Sequence, residues 1–155
     1  SMEINDLITT QSVVANLHAT SKKQAIQDLA KKAADITGLH ERAIFDVLME
    51  RERLGTTGVG NGIAIPHGKL ANLDKLYGLF ARLEKPIDFQ SIDEQPVDLI
   101  FLLLAPESAG ADHLKALARV SRLLRDKTVC DKLRGTDQSE ALYALLTEDA
   151  AHQAA

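Results

Sequence analysis

The chain has 155 residues, of which 45% are hydrophobic and 26% are charged, as in an ordinary soluble globular domain. Its formal net charge of −4 gives no electrostatic support for nucleic-acid binding, and 4% aromatic residues without tryptophan leave few platforms for stacking bases or sugars. The single cysteine, Cys130, excludes an intrachain disulfide. Because we find no signal peptide and no apolar run near ~20 residues, we expect a cytoplasmic protein without membrane insertion.

One three-layer α/β domain, with a mostly buried sheet between helices, is predicted for residues 2–149. Ser1, which precedes Met2, is interpreted as the remnant of a cleaved expression tag, and residues 150–155 as a frayed Ala-rich tail. Residues 3–19 alternate short apolar runs with polar breaks, which predicts an irregular entry with one short strand.

Two amphipathic helices are predicted in the first third of the chain. The first begins at Ser21, where Ser21 and Gln24 fit a capping box, and it ends before Gly38. Its apolar face must pack on a broad surface such as a sheet and comprises Ala25, Ile26, Leu29, Ala30, Ala33 and Ile36. The second helix covers about residues 41–54.

The second helix places two arginines on different sides. At 100° per residue, Arg51 lies within about 20° of the apolar Ile44, whereas Arg53 points away from the apolar stripe. An inward guanidinium directly before a glycine-rich loop is aimed at a candidate anion site. The alternative is a side chain that only passes the core on its way to solvent, and we favour the anion site.

A glycine-rich segment follows, with four glycines in eight residues at Gly55, Gly58, Gly60 and Gly62. Glycines allow positive φ angles and close approach of backbone amides, which predicts a concave anion-binding loop rather than an ordinary turn. Two common phosphate motifs do not fit. The P-loop needs four residues where five separate Gly62 from Gly68, and the dinucleotide fingerprint needs glycine where Ile63 stands.

The histidine at the end of this segment is the candidate reactive group. A short apolar run, Ile63 to Pro66, predicts a strand, and the flanking Pro66 and Gly68 predict a corner at which His67 is presented outward. A neutral imidazole can attack and hold a phosphoryl group near neutral pH. The alternative is an ordinary surface histidine.

Three strands are predicted in the next forty residues: one over residues 76–83, a short edge strand near 87–89, and one over 97–104. The last is nearly continuous Val, Leu, Ile and Phe, which is typical of a strand covered on both faces.

A helix capped by Ser108 or Asp112 is predicted to follow and to end near Arg125. We expect its inward residues to be Leu117, Val120 and Leu124, and its outward basic residues to be Lys115, Arg119 and Arg122. His113 lies within about 40° of Leu117, in the first turn and on the inward side. Helix starts after central strands are favoured anion sites, so His113 is a candidate donor to phosphate rather than a core histidine. A last helix is predicted over residues 139–146.

The chemistry suggested by these residues is phosphoryl transfer without a metal or other cofactor. No HExxH, His-x-His or cysteine cluster is present, and no Gly-x-Ser-x-Gly, so neither a zinc site nor a serine hydrolase is predicted. His67 would accept the phosphoryl group, with Arg51, His113 and loop amides as donors around its oxygens. The predicted phosphate-binding loop comprises Thr57, Gly60, Asn61, Gly62 and Gly68.

Four segments also occur together, in this order, in a known family. They are Arg51-Glu52, the run from Gly55-Thr56-Thr57-Gly58 through Ile65-Pro66-His67-Gly68, the stretch from Ile87-Asp88-Phe89 to Pro96-Val97-Asp98-Leu99, and His113-Leu114-x-x-Leu117. Together they resemble the phosphotransferase-system enzyme IIA domains of the fructose/mannitol type, and most closely the nitrogen-regulatory branch. The resemblance covers essentially the whole chain and implies a mixed sheet of about five strands with helices on both faces.

The resemblance also implies an activity and partners. His67 would become a tele-phosphohistidine by transfer from an HPr-like phosphocarrier (NPr), with Arg51 and His113 stabilising the phosphate. The chain would then act as a phosphorylation-dependent switch on other proteins, with regulators of potassium transport and nitrogen metabolism as candidate targets.

Two alternatives stay open beside the regulatory function. One is a sugar-specific enzyme IIA that passes phosphate to a IIB domain. Sugar-transporting relatives commonly carry an acidic residue where this chain has Asn61, and no IIB or permease segment is attached, which favours regulation. The other is a module that is never phosphorylated and uses the glycine loop to bind a small anion.

Overall fold

The computed structural model describes the backbone of residues 2–154 and the side chains of residues 2–148. The helices are α1 Lys22–Thr37, α2 Glu41–Arg53, α3 Ala111–Arg125, α4 Lys127–Arg134 and α5 Ser139–Ala154. The strands are β1 Val13–Val14, β2 Gly58–Gly60, β3 Ile63–Ala64, β4 His67–Leu70, β5 Tyr77–Ile87 and β6 Val97–Pro106. The interpretation of Ser1 lies outside the described residues, as do the side chains of the predicted tail.

A single mixed sheet of six strands organises the chain. β6 is central: β5 pairs with it antiparallel on one side, and β3 and β4 pair with it parallel on the other. β1 lies parallel beyond β5, and β2 lies antiparallel beyond β3. The predicted mixed sheet of about five strands between helices is therefore confirmed, with β4 as the additional short strand.

β3 and β4 form one line along β6, interrupted only at a proline. Ile63 pairs with Leu99 and His67 pairs with Leu103, so the offset between partners is the same on both sides of the break. Pro66 lacks an N–H, but its carbonyl accepts a hydrogen bond from the Leu103 N–H at 2.9 Å, which preserves the register. His67 is thus the first residue of a strand, and the predicted corner after a strand is wrong.

The two faces of the sheet bury separate cores. Along β6 the side chains alternate, so Ile100 and Leu102 pack with α1 and α2, whereas Leu99, Phe101 and Leu103 pack with the helices α3, α4 and α5. Each of these β6 residues is at most 1% exposed. The prediction of a strand covered on both faces is confirmed, and β6 is the rigid element beside which the candidate site is built.

The helix starts follow the sequence only in part. Ser21 caps α1 by accepting from the Gln24 N–H at 3.1 Å, but the Gln24 side chain bonds Thr20 instead of closing the predicted box. Neither Ser108 nor Asp112 caps α3, because its N-cap is Gly110 at a φ of 54°, without a side-chain bond. At that angle glycine avoids the clash that a Cβ would suffer.

Three further differences concern the C-terminal third. Arg119 is buried and pairs with Glu3 at 3.1 Å, so the predicted outward orientation is wrong. α4 was not predicted; Asp126 separates it from α3 and caps it by accepting from the N–H groups of Thr128 and Val129. α5 continues past the predicted end at Leu146. None of the helices in residues 2–154 has the length and apolar character needed to cross a bilayer.

Candidate functional site

The ring of His67 is held in one tautomer. Its Nδ1 lies 2.8 Å from the carbonyl oxygen of Ile65, which can only accept, so Nδ1 carries the hydrogen. Its Nε2 accepts a hydrogen bond from the Arg51 Nε at 3.3 Å and therefore carries the lone pair. The strand thus presents Nε2 as the ring's nucleophilic atom.

The surroundings keep this ring neutral. Burial is the largest cause and lowers the pKa of His67; the Arg51 charge lowers it further, while the bond to the Ile65 carbonyl and the Glu52 charge oppose the shift. A lowered pKa means that the Nε2 lone pair is free of a proton near neutral pH. The half-buried ring can therefore act as a nucleophile at Nε2.

Arg51 reaches His67 from the last turn of α2. Its Nη1 also donates to the Gly55 carbonyl at 2.9 Å, so two bonds fix the guanidinium between the helix end and the strand. Arg53 points elsewhere, is exposed, and pairs with Glu50 at 2.9 Å. The helical phase predicted for the two arginines is the one that the structure has.

His113 faces His67 from the first turn of α3. The two ring centroids are 5.7 Å apart at an interplanar angle of 67°. His113 is only 8% exposed, and its Nε2 has no hydrogen-bond partner among the residues whose side chains are described. Burial, followed by the charges of His67 and Lys69, lowers the pKa of His113. An unpartnered ring nitrogen is available to a ligand that can form a hydrogen bond with it.

Gly68 allows α2 to approach the strand closely. A Cβ at this position would overlap Cγ1 of Val47, which lies one helical turn before Arg51. Any side chain larger than hydrogen would therefore force the Val47 side chain, or the helix that carries it and Arg51, to move. The structure assigns Gly68 to packing, adjacent to His67 in the chain.

A buried carboxylate beside Arg51 anchors the start of the glycine segment, and sequence reasoning missed it. Glu52 accepts from the Thr57 N–H at 2.9 Å and from the Thr57 hydroxyl, and it pairs with Lys22 at 2.8 Å. The Lys22 ammonium also lies 4.9 Å from the Phe89 ring centroid. Both donors of Thr57 are therefore used inside the protein. The available signal was Glu52 itself, an acidic residue beside the inward-facing arginine.

The remaining loop residues lie at the other end of the strand line. Gly60, Asn61 and Gly62 have φ angles of 104°, 57° and 80° and form the turn between β2 and β3. His67 lies five positions after Gly62 along extended chain, which is about 16 Å. The structure does not bring this turn to His67, and its role as a phosphate-binding loop stays a prediction.

No metal site accompanies these groups. In residues 2–148, the structure contains no cluster of three His, Cys, Asp or Glu side chains that could hold an ion. Of the other histidines with described side chains, His18 is exposed, and His40 is exposed and caps α2 by accepting from the Arg42 N–H. The site consists of two imidazoles, whose pKa values are both lowered, and one guanidinium.

Comparison with known proteins gives consistent matches. A family model described as "Phosphoenolpyruvate-dependent sugar phosphotransferase system, EIIA 2" matches residues 6–149. The nitrogen regulatory protein of Bradyrhizobium diazoefficiens is 61% identical over 145 residues, which cover 94% of this chain and 95% of that protein. The nitrogen regulatory protein of Escherichia coli K12 is 39% identical over 149 residues, 96% of this chain and 91% of that protein.

A solved structure supports the same assignment. The nitrogen regulatory protein IIA-Ntr from Neisseria meningitidis superposes with a TM-score of 0.88 at 33% identity, over 93% of this chain and 99% of that one. The segment that places His67 beside Arg51 lies inside the matched residues 6–149. The chain therefore belongs to the phosphoenolpyruvate-dependent sugar phosphotransferase system EIIA 2 family, in its nitrogen-regulatory branch.

Proposed function

We propose that the chain accepts a phosphoryl group on His67 Nε2 from an HPr-like phosphohistidine carrier (NPr). The observation that carries the proposal is the orientation of that ring. Its Nδ1–H is held by the Ile65 carbonyl, and its Nε2 lone pair points at the guanidinium of Arg51. A phosphoryl group arriving at Nε2 would replace the Arg51 hydrogen bond and present its oxygens to the same guanidinium.

The transfer balances without a metal or a nucleotide. The Nε2 lone pair forms a bond to phosphorus while the N–P bond of the donor breaks, and that bond's electron pair returns to the donor ring. The Nδ1 proton stays on His67, where the Ile65 carbonyl stabilises the positive charge that develops on the ring. Because donor and acceptor are both histidines, similar bonds form and break, and the protein needs only to position the groups and stabilise charge.

Two side chains from different elements supply that stabilisation. Arg51 approaches from α2 and His113 from α3, which pack on opposite faces of the sheet. The phosphoryl group would therefore lie at the edge of the sheet, between these two helices. In its neutral form the His113 ring carries one N–H that can donate to a phosphoryl oxygen. Losing one such preorganised donor typically lowers a rate by about 10²- to 10³-fold.

The regulatory part of the proposal comes from the relatives. Relatives that are 61% and 39% identical over 94% and 96% of this chain are called nitrogen regulatory proteins, which supports a switch whose phosphorylation state is read by other proteins. Regulators of potassium transport and nitrogen metabolism are the candidate targets. The half-buried His67 suits such a switch, because phosphorylation adds negative charge at a defined surface position.

The test is transfer from a defined donor. The protein is incubated with phosphoenolpyruvate, the kinase of the carrier and the HPr-like carrier, and the bound phosphate is located by mass spectrometry of intact protein and of peptides. We expect one phosphate, on His67, that is stable in alkali and labile in acid. A module that binds anions without phosphorylation would stay unmodified, which would contradict the proposal.

A second step separates regulation from sugar transport. The phosphorylated protein is mixed with a fructose- or mannitol-type IIB domain, and loss of phosphate is followed over time. A regulatory protein should keep its phosphate, whereas a sugar-specific enzyme IIA should pass it on within the time of its own phosphorylation. Rapid transfer to IIB would assign the chain to sugar transport.

A further inference from the structure

A cavity lies on the α3 side of the sheet, apart from the histidines. It encloses about 610 Å³ between the β2–β3 turn and the helices α3 and α4. Its size falls in the range of about 300–1,000 Å³ that is usual for small-molecule sites. His67, His113 and Arg51 are not among the residues that line it.

The cavity joins an apolar floor to a cationic rim. The floor includes Ile63, Ile65, Leu124 and Cys130, and burial raises the pKa of the Cys130 thiol, so this residue is neutral as well. The rim carries the positive side chains Arg125, Lys127 and Arg134 and one acid, Asp131. This concentration of positive charge is notable in a chain whose net charge is −4.

Most of the rim charge is already compensated. Lys127 pairs with Asp131 at 3.3 Å, and Arg134 pairs with Asp98 at 2.9 Å. Arg125 is exposed and has no ion pair among the residues whose side chains are described. One uncompensated guanidinium above an apolar floor matches a ligand with one negative charge and an apolar body.

One residue of the cavity floor, Ile65, also contacts His67, the proposed phosphoryl acceptor. The side chain of Ile65 lines the cavity, and its carbonyl accepts the Nδ1–H bond that orients His67. A ligand that shifts Ile65 would therefore change the position of the nucleophilic Nε2. By linkage, a ligand that changes the equilibrium of phosphorylation at His67 by some factor must bind the phosphorylated and unmodified forms with affinities that differ by the same factor.

We propose that this cavity binds a small organic carboxylate, with its apolar part on the isoleucines and its carboxylate on Arg125, and that binding is coupled to the state of His67. The coupling rests on the proposed phosphorylation of His67, whereas the binding site does not. An effector site of this kind would let a metabolite modify the switch.

Binding is tested on the unphosphorylated full chain with 4-phenylbutyrate as the probe and the uncharged 4-phenyl-1-butanol as its analogue. Calorimetry measures the dissociation constants, and backbone NMR shifts locate the probe. We expect saturable binding of the acid, shifts at Ile65, Ser121 and Leu124, and at least about tenfold weaker binding of the alcohol, which corresponds to one charged contact. Equal binding of acid and alcohol, or shifts confined to other surfaces, would overturn the site.

Two arginines on α3 provide a matched pair of variants. Arg125→Gln should weaken the acid about tenfold, whereas Arg122→Gln, an equally exposed position that does not line the cavity, should leave it unchanged. NMR shifts confined to His67 and His113 would instead place the probe at the histidine site and contradict the proposal. Melting temperatures of both variants control for folding.

The coupling is tested by repeating the titration with protein phosphorylated at His67. We expect the dissociation constant to change about fivefold or more, a usual size for coupling between sites. Equal constants in the two forms would overturn the coupling while the binding data on unmodified protein still stand. Absence of phosphorylation would instead contradict the proposed function, and the two failures are therefore distinguishable.

Discussion

The two ends of the segment from Gly60 to Gly68 look alike in sequence and differ in structure. At the first end, the Asn61 N–H donates to Asp93 at 2.9 Å and the Asn61 carbonyl accepts from Arg134 at 2.8 Å. At the second end, the His67 Nε2 lone pair accepts only from the side chain of Arg51, and the facing His113 Nε2 has no partner among the described residues. Side-chain groups that a ligand can reach, rather than glycine content, distinguish the histidine end from the turn.

The contrast between the two ends of this segment depends on His67 being the phosphorylated residue. We expect His67→Ala to abolish incorporation of phosphate, because no other described residue combines a fixed lone pair with a guanidinium at 3.3 Å. The measurement is labelling from the phosphorylated carrier, read by mass spectrometry. Asn61→Gly, which keeps the backbone bonds and the positive φ of the turn, should be labelled at the normal rate. Labelled His67→Ala protein would contradict the assignment.

Two arginines of α2, Arg51 and Arg53, test whether the orientation of the guanidinium matters. Arg51→Ala should slow transfer by about ten- to a thousand-fold, because it removes the cation that faces the incoming oxygens. Arg53→Ala should change little, because Arg53 is exposed and bonded only to Glu50 in the described structure. The rates of transfer from the carrier are compared in rapid-quench experiments. Similar losses in the two variants would mean that the orientation of the guanidinium is irrelevant.

His113 should contribute less, as a donor that does not itself become phosphorylated. His113→Ala should cost about 1–3 kcal/mol of transition-state stabilisation, whereas His113→Gln, which keeps an N–H donor, should retain more activity. The readout is the transfer rate, with thermal unfolding to confirm that both variants are folded. If His113→Ala accepts phosphate at the wild-type rate, His113 has only a packing role.

Gly68 tests whether packing places the guanidinium. Gly68→Ala forces a methyl group against Val47 and should lower the free energy of unfolding by about 1–3 kcal/mol, as overpacking does. It should also slow transfer, because α2 carries Arg51. The control is Gly135→Ala, where the new methyl group meets only ordinary contacts at 3.5 Å. If Gly68→Ala has the stability and the transfer rate of the parent protein, close packing at Gly68 does not position α2.

The smallest expected effect is a dependence of stability on pH. The pKa values of His67 and His113 are lowered in the folded protein, mainly by burial. Their contribution is therefore present above the ordinary histidine pKa of about 6.5 and is lost as the pH falls through the lower folded values. Urea unfolding between about pH 8 and about pH 5 should show this loss.

A double variant checks the source of that loss. His67→Gln combined with His113→Gln should flatten the dependence, because glutamine does not titrate in this range. His18→Gln, a change at an exposed histidine, is the control and should keep the parent profile. An unchanged slope in the double variant would assign the pH dependence to other groups.

Local sequence patterns were sufficient for β6 and for the helices α1, α2 and α3, whereas α4 and the short strand β4 were not predicted. The unbroken apolar run of β6 predicts a strand buried on both faces, because each face must find apolar neighbours. The helical period places Arg51 and His113 on inward faces for the same reason. The candidate residues His67, Arg51 and His113 were selected from their types and from these short-range periods, and the structure brings them together.

Tertiary structure decided which of the candidates meet. Thr57 and Asn61 looked available in sequence, but Glu52 and Asp93, five and 32 positions away, take their amide donors. Arg119 was predicted to be outward and is buried, because Glu3, 116 positions earlier, supplies its counter-charge. Such partners are specified by contacts that only the closed sheet and its two helical layers bring together. The sequence by itself determined which residues are candidates for the chemistry, namely His67, Arg51 and His113, whereas pairing in the folded chain decided which of the other candidate polar groups are already bonded.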